Sequence, residues 1–125
     1  MGLDMFAYTV KSEDAIDDFN ISPDADNNEI KYWRKHHDLH GWMERLYRDK
    51  GGEAESFNCV KVRLYEHDLD YLEADVMTNQ LPQTQGFFFG SNPPDADSIA
   101  EDLEFIKAAR EAIEDGFAVY YDSWW

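Results

Sequence analysis

The stretch LDMFAYTV at residues 3–10 predicts a β-strand that is buried on both of its faces. Aromatic and β-branched residues favour the extended conformation in an apolar run of this length. A second stretch of the same character, FAVYY at residues 117–121, predicts the last strand of the chain. We expect these first and last strands to be neighbours in one sheet.

Between these two strands the sequence predicts an acidic loop, three helices and one further strand. The loop covers residues 12–29 and holds seven acidic residues and no base. Apolar residues at helical spacing predict the helices, and alternation of apolar and polar residues predicts the strand. The predicted elements are a helix at 29–49, a strand at 57–64, a helix from Tyr65 that ends before Pro82, and a structured loop at 80–94. The third helix begins at a capping box formed by Ser98 and Glu101 and ends at Gly116.

The order β-α-β-α-loop-α-β indicates the α+β class. We expect residues 1–125 to form one small single domain, in which a three- to four-stranded, mainly antiparallel sheet packs against about three helices. Hydrophobic residues make up 43% of the chain and aromatic residues 15%, which is enough to bury a core. The single cysteine, Cys59, falls in the predicted strand at 57–64, where we expect a buried structural thiol.

The charge of the chain excludes several classes of partner. With 11 Lys and Arg against 27 Asp and Glu, the net charge is −16. A surface this negative repels phosphates, so we expect neither broad nucleic-acid binding nor binding to a membrane. No apolar run is long enough to span a bilayer, and we therefore expect a cytoplasmic protein.

Residues 31–50 reverse the sign of the charge. This segment carries a net charge of +3 and three of the four histidines. One interpretation is that it neutralises the acidic segments around it. The other is a site for a small anion, in which Arg34 and Lys35 hold a phosphate or carboxylate while Trp33 or Trp42 stacks on a ring.

The histidines raise the question of a metal site. His36 and His40 are four residues apart, a spacing that can hold zinc on a helix. The glutamate that follows the first histidine in helical His-Glu-x-x-His sites is absent here, because position 37 is His37. We therefore expect no metal and no cofactor, with His36 and His40 as the candidates if a metal binds.

Four strings of this sequence are distinctive. They are GLDM at 2–5, YWRK at 32–35 followed by LHGW at 39–42, LPQTQGFFFG at 81–90, and SWW at 123–125. Together they resemble a family of small uncharacterised bacteriophage and prophage proteins. The resemblance covers nearly the whole chain and implies no particular reaction. It places emphasis on the loop at 86–90 and on Trp33, Arg34, Lys35, His40 and Trp42.

These observations favour a phage-type accessory protein without enzymatic activity. Its expected partner is a host or phage protein, and a homodimer or an acidic mimic of DNA is a special case of the same hypothesis. The chain carries no phosphate-binding loop and no nucleophile motif.

The alternative is a protein that binds a small anionic, nucleotide-like ligand, or an unrecognised enzyme that acts on one. It would use the helix at 31–50 and the loop at 86–90, with Trp33, Arg34, Lys35, His40, Trp42 and Phe88 as ligand-binding residues. Convergence of Arg34, His40 and this loop on a cavity would favour the ligand. A buried, hydrogen-bonded His40 would instead be structural.

Overall fold

The computed structural model describes residues 3–34, 36–78 and 96–124, with an α+β arrangement of three helices and a four-stranded antiparallel sheet. The predicted loop at 80–94 lies outside these residues. In chain order the elements are β1 (Asp4–Lys11), β2 (Asn28–Arg34), α1 (His37–Asp49), β3 (Val62–Leu64), α2 (Glu66–Met77), α3 (Ala96–Glu114) and β4 (Phe117–Trp124).

The strands lie in the order β2-β1-β4-β3, and every neighbouring pair is antiparallel. β1 and β4 occupy the centre and pair over their full length, from Asp4 opposite Trp124 to Lys11 opposite Phe117. This pairing confirms the prediction that the first and last strands are neighbours. The two outer strands, β2 and β3, each pair with one of these central strands.

All three helices cover the same face of the sheet. Alternate residues of β1 and β4, such as Met5 and Tyr121, point from the sheet into the layer between sheet and helices and are fully buried. The rings of Tyr121 and Phe57 stack there with centroids 5.9 Å apart. Each helix contributes several buried apolar side chains to the same core cluster, among them Leu39, Met43, Leu69, Leu72, Phe105 and Ile106.

The described residues cover only part of the opposite face of the sheet. The acidic loop crosses it after a short 3-10 turn at Ser12–Asp14, and it packs on Tyr8, Val10, Ala118 and Tyr120. The Tyr120 hydroxyl donates a hydrogen bond to the Asp17 carbonyl at 2.6 Å. The acidic loop thus covers a second, smaller hydrophobic core.

The predicted helix at 29–49 is wrong over its first third. Residues Asn28–Arg34 form strand β2, and α1 begins only at His37. Pairing with β1, which places Trp33 opposite Met5, satisfies the backbone of this segment and buries the Trp33 ring. A long-range partner therefore overrides the helical spacing of the apolar residues.

The strand predicted at 57–64 is shorter in the structure, where β3 spans only Val62–Leu64. Cys59 precedes it with a φ of 61° and an exposed side chain, so the predicted buried thiol is wrong. The Cys59 amide donates to the Ser123 carbonyl at 2.8 Å, a contact that holds the segment against β4 without extending the strand.

The later helices agree more closely with the sequence. α2 begins one residue after Tyr65 and ends before Pro82, as predicted. α3 begins at Ala96, two residues before the predicted start at Ser98. Gly116 ends α3 with a φ of 93°, the left-handed conformation that a glycine adopts without strain.

We expect Gly116→Ala to destabilise the protein by about 1 kcal/mol. A Cβ at this position would meet no atom within 4 Å, so the cost is backbone strain alone. Gly116→Asn is the matched control, because asparagine tolerates the left-handed region better than alanine. Urea unfolding of the three proteins measures the difference, and a larger loss in the asparagine variant would contradict the explanation by strain.

Candidate binding surfaces

His40 lies in the core on α1. Only 2% of it is exposed, and its Nδ1 is 2.7 Å from the hydroxyl of Tyr121. Its ring also packs against that of Phe57, with centroids 5.0 Å apart. Burial, with a smaller contribution from His37, lowers the pKa of His40 from 6.5 to about 4. His40 is therefore neutral near pH 7 and acts as a structural residue.

Trp33 is also a core residue, although on β2 rather than on a helix. Its ring packs edge-on against Phe105 of α3 at a centroid distance of 4.8 Å. Its Nε1–H donates to Oδ1 of the buried Asp102 at 3.2 Å, and Nε2 of His36 lies 2.8 Å from Oδ2 of the same carboxylate. Asp102 thus ties β2 and the start of α1 to α3.

His36 and His40 therefore have separate partners, on α3 and on β4. In residues 3–34, 36–78 and 96–124, no group of three His, Cys, Asp or Glu side chains could hold a metal ion.

The remaining predicted ligand-binding residues also lie apart. Arg34 is exposed on the face of β2 opposite to Trp33, because successive residues of a strand point to opposite faces. Trp42 is buried on α1, where its Nε1–H donates to Oδ2 of Asp75 at 2.8 Å. Lys35 and Phe88 lie outside the described residues. The described members of the set do not line one common cavity.

A different group of residues forms a cluster on the part of the sheet that the described residues leave uncovered. The central strands and β2 bring together Phe6, Tyr32, Arg34 and Trp124, which we call the aromatic sheet patch. Arg34 and Trp124 flank Asp4 in one row of the sheet, and Tyr32 lies beside Phe6 in the next. Trp124 is 66% exposed and Tyr32 is 45% exposed. Large aromatic side chains on a rigid surface are typical of protein-binding sites.

The carboxylates in and beside this patch are held by neighbouring groups. The Tyr32 hydroxyl donates to Oδ1 of Asp4 at 2.5 Å, and this hydrogen bond raises the pKa of Tyr32. Asp122 lies opposite Phe6, and burial raises its pKa while nearby Lys61 opposes that shift. The rings of Tyr32 and Phe6 are thus held by contacts within the folded chain.

Arg34 is a candidate from the sequence, whereas Trp124 stands there only within the string SWW at 123–125. Neither pattern indicates a relation to Phe6 and Tyr32. Only strand pairing brings these four residues to one face, with the rings of Phe6 and Tyr32 5.4 Å apart. The β-forming residues Ile30, Tyr32 and Trp33 were the local signal that could have indicated a strand here.

In comparisons with known proteins, no family model, no curated protein and no solved structure matched this chain. Among the described residues, no helix combines the length and the apolar character that crossing a membrane requires.

We expect protonation of His40 to destabilise the folded protein. The pKa of His40 is about 4 in the folded state against 6.5 for an unperturbed histidine, so the unfolded chain binds more protons between these values. The stability contributed by a neutral His40 is complete above pH 6.5 and is lost as the pH falls through about 4. This group alone should lower the free energy of unfolding by about 2 kcal/mol between about pH 7.5 and about pH 5.

Urea unfolding of the wild type and of His40→Gln at these two pH values measures the effect. The substitution leaves every other titratable side chain in place, so the difference between the two proteins isolates His40. The loss on acidification should be smaller in the variant by about 2 kcal/mol. Equal losses in the two proteins would show that another group is responsible.

Proposed function

We propose that this protein is a non-enzymatic interaction module that binds a basic protein partner through the aromatic sheet patch. The observation that carries the proposal is the exposure of Trp124 and Tyr32 beside Phe6 and Arg34 on one rigid sheet face. Trp, Tyr and Arg are the residue types that dominate the energetics of protein interfaces.

The structure of the patch supports binding without large rearrangement. Its residues stand on three paired strands, and the central pair is hydrogen-bonded along its full length. The hydroxyl of Tyr32 is held by Asp4 at one end of its side chain, and the Phe6 ring supports its face. A preorganised surface loses little side-chain entropy on association.

The charge around the patch indicates the chemistry of the partner. The same sheet face carries the acidic loop, on which Asp17, Asp24 and Asp26 are exposed. A partner seated on the aromatic sheet patch would therefore meet carboxylates at the border of its contact area. We infer a partner surface with an apolar centre and Lys or Arg residues around it.

The same argument disfavours a homodimer through this patch. A second copy would bring another chain of net charge −16 and another acidic loop to the same face. Like charges across an interface lower both the rate and the strength of association. A basic partner removes this repulsion.

The biological setting belongs to the proposal as well. The four strings that resemble phage and prophage proteins support a partner encoded by the phage or by its host, in the cytoplasm of the infected or lysogenic cell. The alternative, a small anionic ligand, has no comparable observation behind it, since the described candidate residues do not line one cavity.

The paired substitution Tyr32→Ala and Trp124→Ala tests the proposal by affinity capture from a bacterial host lysate. Met77→Ala is the control, because Met77 is an equally exposed apolar residue, 67% exposed, on α2. A true partner is a basic protein that the wild type and the control retain and the paired variant loses. With that partner purified, we expect Trp124→Ala alone to weaken binding by about 2 kcal/mol, roughly 30-fold in Kd.

Two results would contradict the proposal. One is that the paired variant retains every protein that the control retains, which would show that the aromatic sheet patch binds none of them. The other is a wild-type dimer in sedimentation experiments that dissociates on Trp124→Ala, which would make a second copy the occupant. Because neither side chain belongs to a core cluster, thermal unfolding should show that the variants remain folded.

A further inference from the structure

A second concave surface lies on the helical side of the protein, between α1 and α2. This groove has a volume of about 220 Å³, below the range usual for drug-sized ligands and suited to a single side chain. Its walls include the rings of Trp42 and Tyr71, and Tyr71 is 69% exposed. The other residues that line the groove are three aspartates, one arginine and one leucine: Asp49, Asp68, Asp75, Arg45 and Leu46.

The three carboxylates of the groove differ in their partners. Asp68 is buried, and Lys50 neutralises it with its Nζ 3.0 Å from Oδ2. Asp75 accepts a neutral hydrogen bond from the Trp42 indole at 2.8 Å. Within the described part of the chain, no basic side chain forms an ion pair with Asp49 or Asp75. The groove thus holds two negative charges that are not neutralised by an ion pair, beside an exposed aromatic ring.

The other flank of α2 shows how this helix binds a guanidinium. There Arg110 of α3 reaches across to two carboxylates of α2, with distances of 2.6 Å to Asp70 and 2.7 Å to Glu73. This contact raises the pKa of Arg110 and fixes a cation between two helices. On the α1 flank, Asp75 and Asp49 offer carboxylates to a cation in a comparable position between helices.

We propose that the groove between α1 and α2 binds an arginine side chain of a protein partner. The guanidinium plane would lie on the Tyr71 ring and donate hydrogen bonds to Asp75 and Asp49, while its methylene groups contact Leu46 and Trp42. A flat, weakly hydrated cation combines stacking on an aromatic ring with bidentate binding to carboxylates, and an ammonium does so less well.

Arg45 provides an internal check on this assignment. Its positive charge lines the same groove and opposes the entry of a second cation. Removing that charge should therefore strengthen the binding of an arginine side chain. If the groove instead bound an anion, the same change would weaken binding.

This site is independent of the proposed function. The helices cover one face of the sheet and the aromatic sheet patch lies on the other, so the two surfaces cannot share one small contact area. The groove can therefore bind arginine whether or not the patch binds a partner. Variants of the patch and variants of the groove test the two proposals separately.

The test is an NMR titration of the whole chain with N-acetyl-arginine amide, followed by the indole N–H signal of Trp42. The uncharged isostere N-acetyl-citrulline amide and the lysine analogue are the comparison ligands. We expect a saturable shift with the arginine compound, a weaker response with the lysine analogue and none with the citrulline compound. Methylguanidinium alone should bind more weakly, because it lacks the methylene groups that contact the groove.

Three variants assign the effect to named groups. Asp75→Asn keeps an oxygen that can accept the Trp42 hydrogen bond but loses the charge, and it should weaken binding about fivefold. Asp26→Asn, an equal charge change on the exposed acidic loop, should leave the affinity unchanged. Arg45→Gln should increase it.

Several outcomes would overturn the proposal. Equal weakening by Asp26→Asn and Asp75→Asn would show attraction by the overall negative charge and not by the groove. An equal response to citrulline and arginine compounds would exclude recognition of the cation. Weaker binding by Arg45→Gln would indicate a site for anions. If Asp75→Asn fails to fold, the comparison of ligands and the Arg45→Gln variant still test whether the groove binds an arginine side chain.

Discussion

The pairing of β1 with β4 is the interaction on which the rest of this structure depends. It joins two segments more than a hundred residues apart. In the described sheet, β2 pairs only with β1 and β3 pairs only with β4. Both cores begin on these two strands: Met5, Ala7 and Tyr121 face the helices, while Tyr8 and Tyr120 face the acidic loop. The aromatic sheet patch depends on the same pairing, because Trp124 reaches Phe6 and Tyr32 only through β1.

Local signals in the sequence predicted the elements that form without distant help. The strands at 3–10 and 117–121, the start of α2 after Tyr65 and the end of α3 at Gly116 agree with the structure. The sequence did not predict β2 because pairing with β1 sets its conformation, and at the pair of Phe6 and Tyr32 the two strands are twenty-six residues apart. Spacing within one segment cannot indicate so distant a partner. Tyr32 then fitted the apolar stripe of α1 by coincidence.

The predicted site residues illustrate a second limit. Trp33, His40 and Trp42 have side chains suited to binding a ligand, but residue type does not indicate whether a side chain is buried. In the structure all three are buried and hydrogen-bonded to other residues of the chain. The residues of the aromatic sheet patch, in which Tyr32 and Trp124 are exposed and Phe6 is half-buried, are ordinary strand residues in the sequence. Strand register brings them together, and register depends on pairing between distant segments.

The basic segment at 31–50 shows how the fold redistributes charge. Its described bases lie on different elements, and three of them have acidic partners: Lys31 with Glu101, Arg48 with Glu44, and Lys50 with Asp68. These ion pairs agree with the interpretation of this segment as internal compensation. The net charge of −16 therefore acts on a partner largely through exposed carboxylates, on the acidic loop as well as beside Tyr71. Because both proposed surfaces combine exposed aromatic rings with such carboxylates, cationic groups on a partner are the physical complement of each.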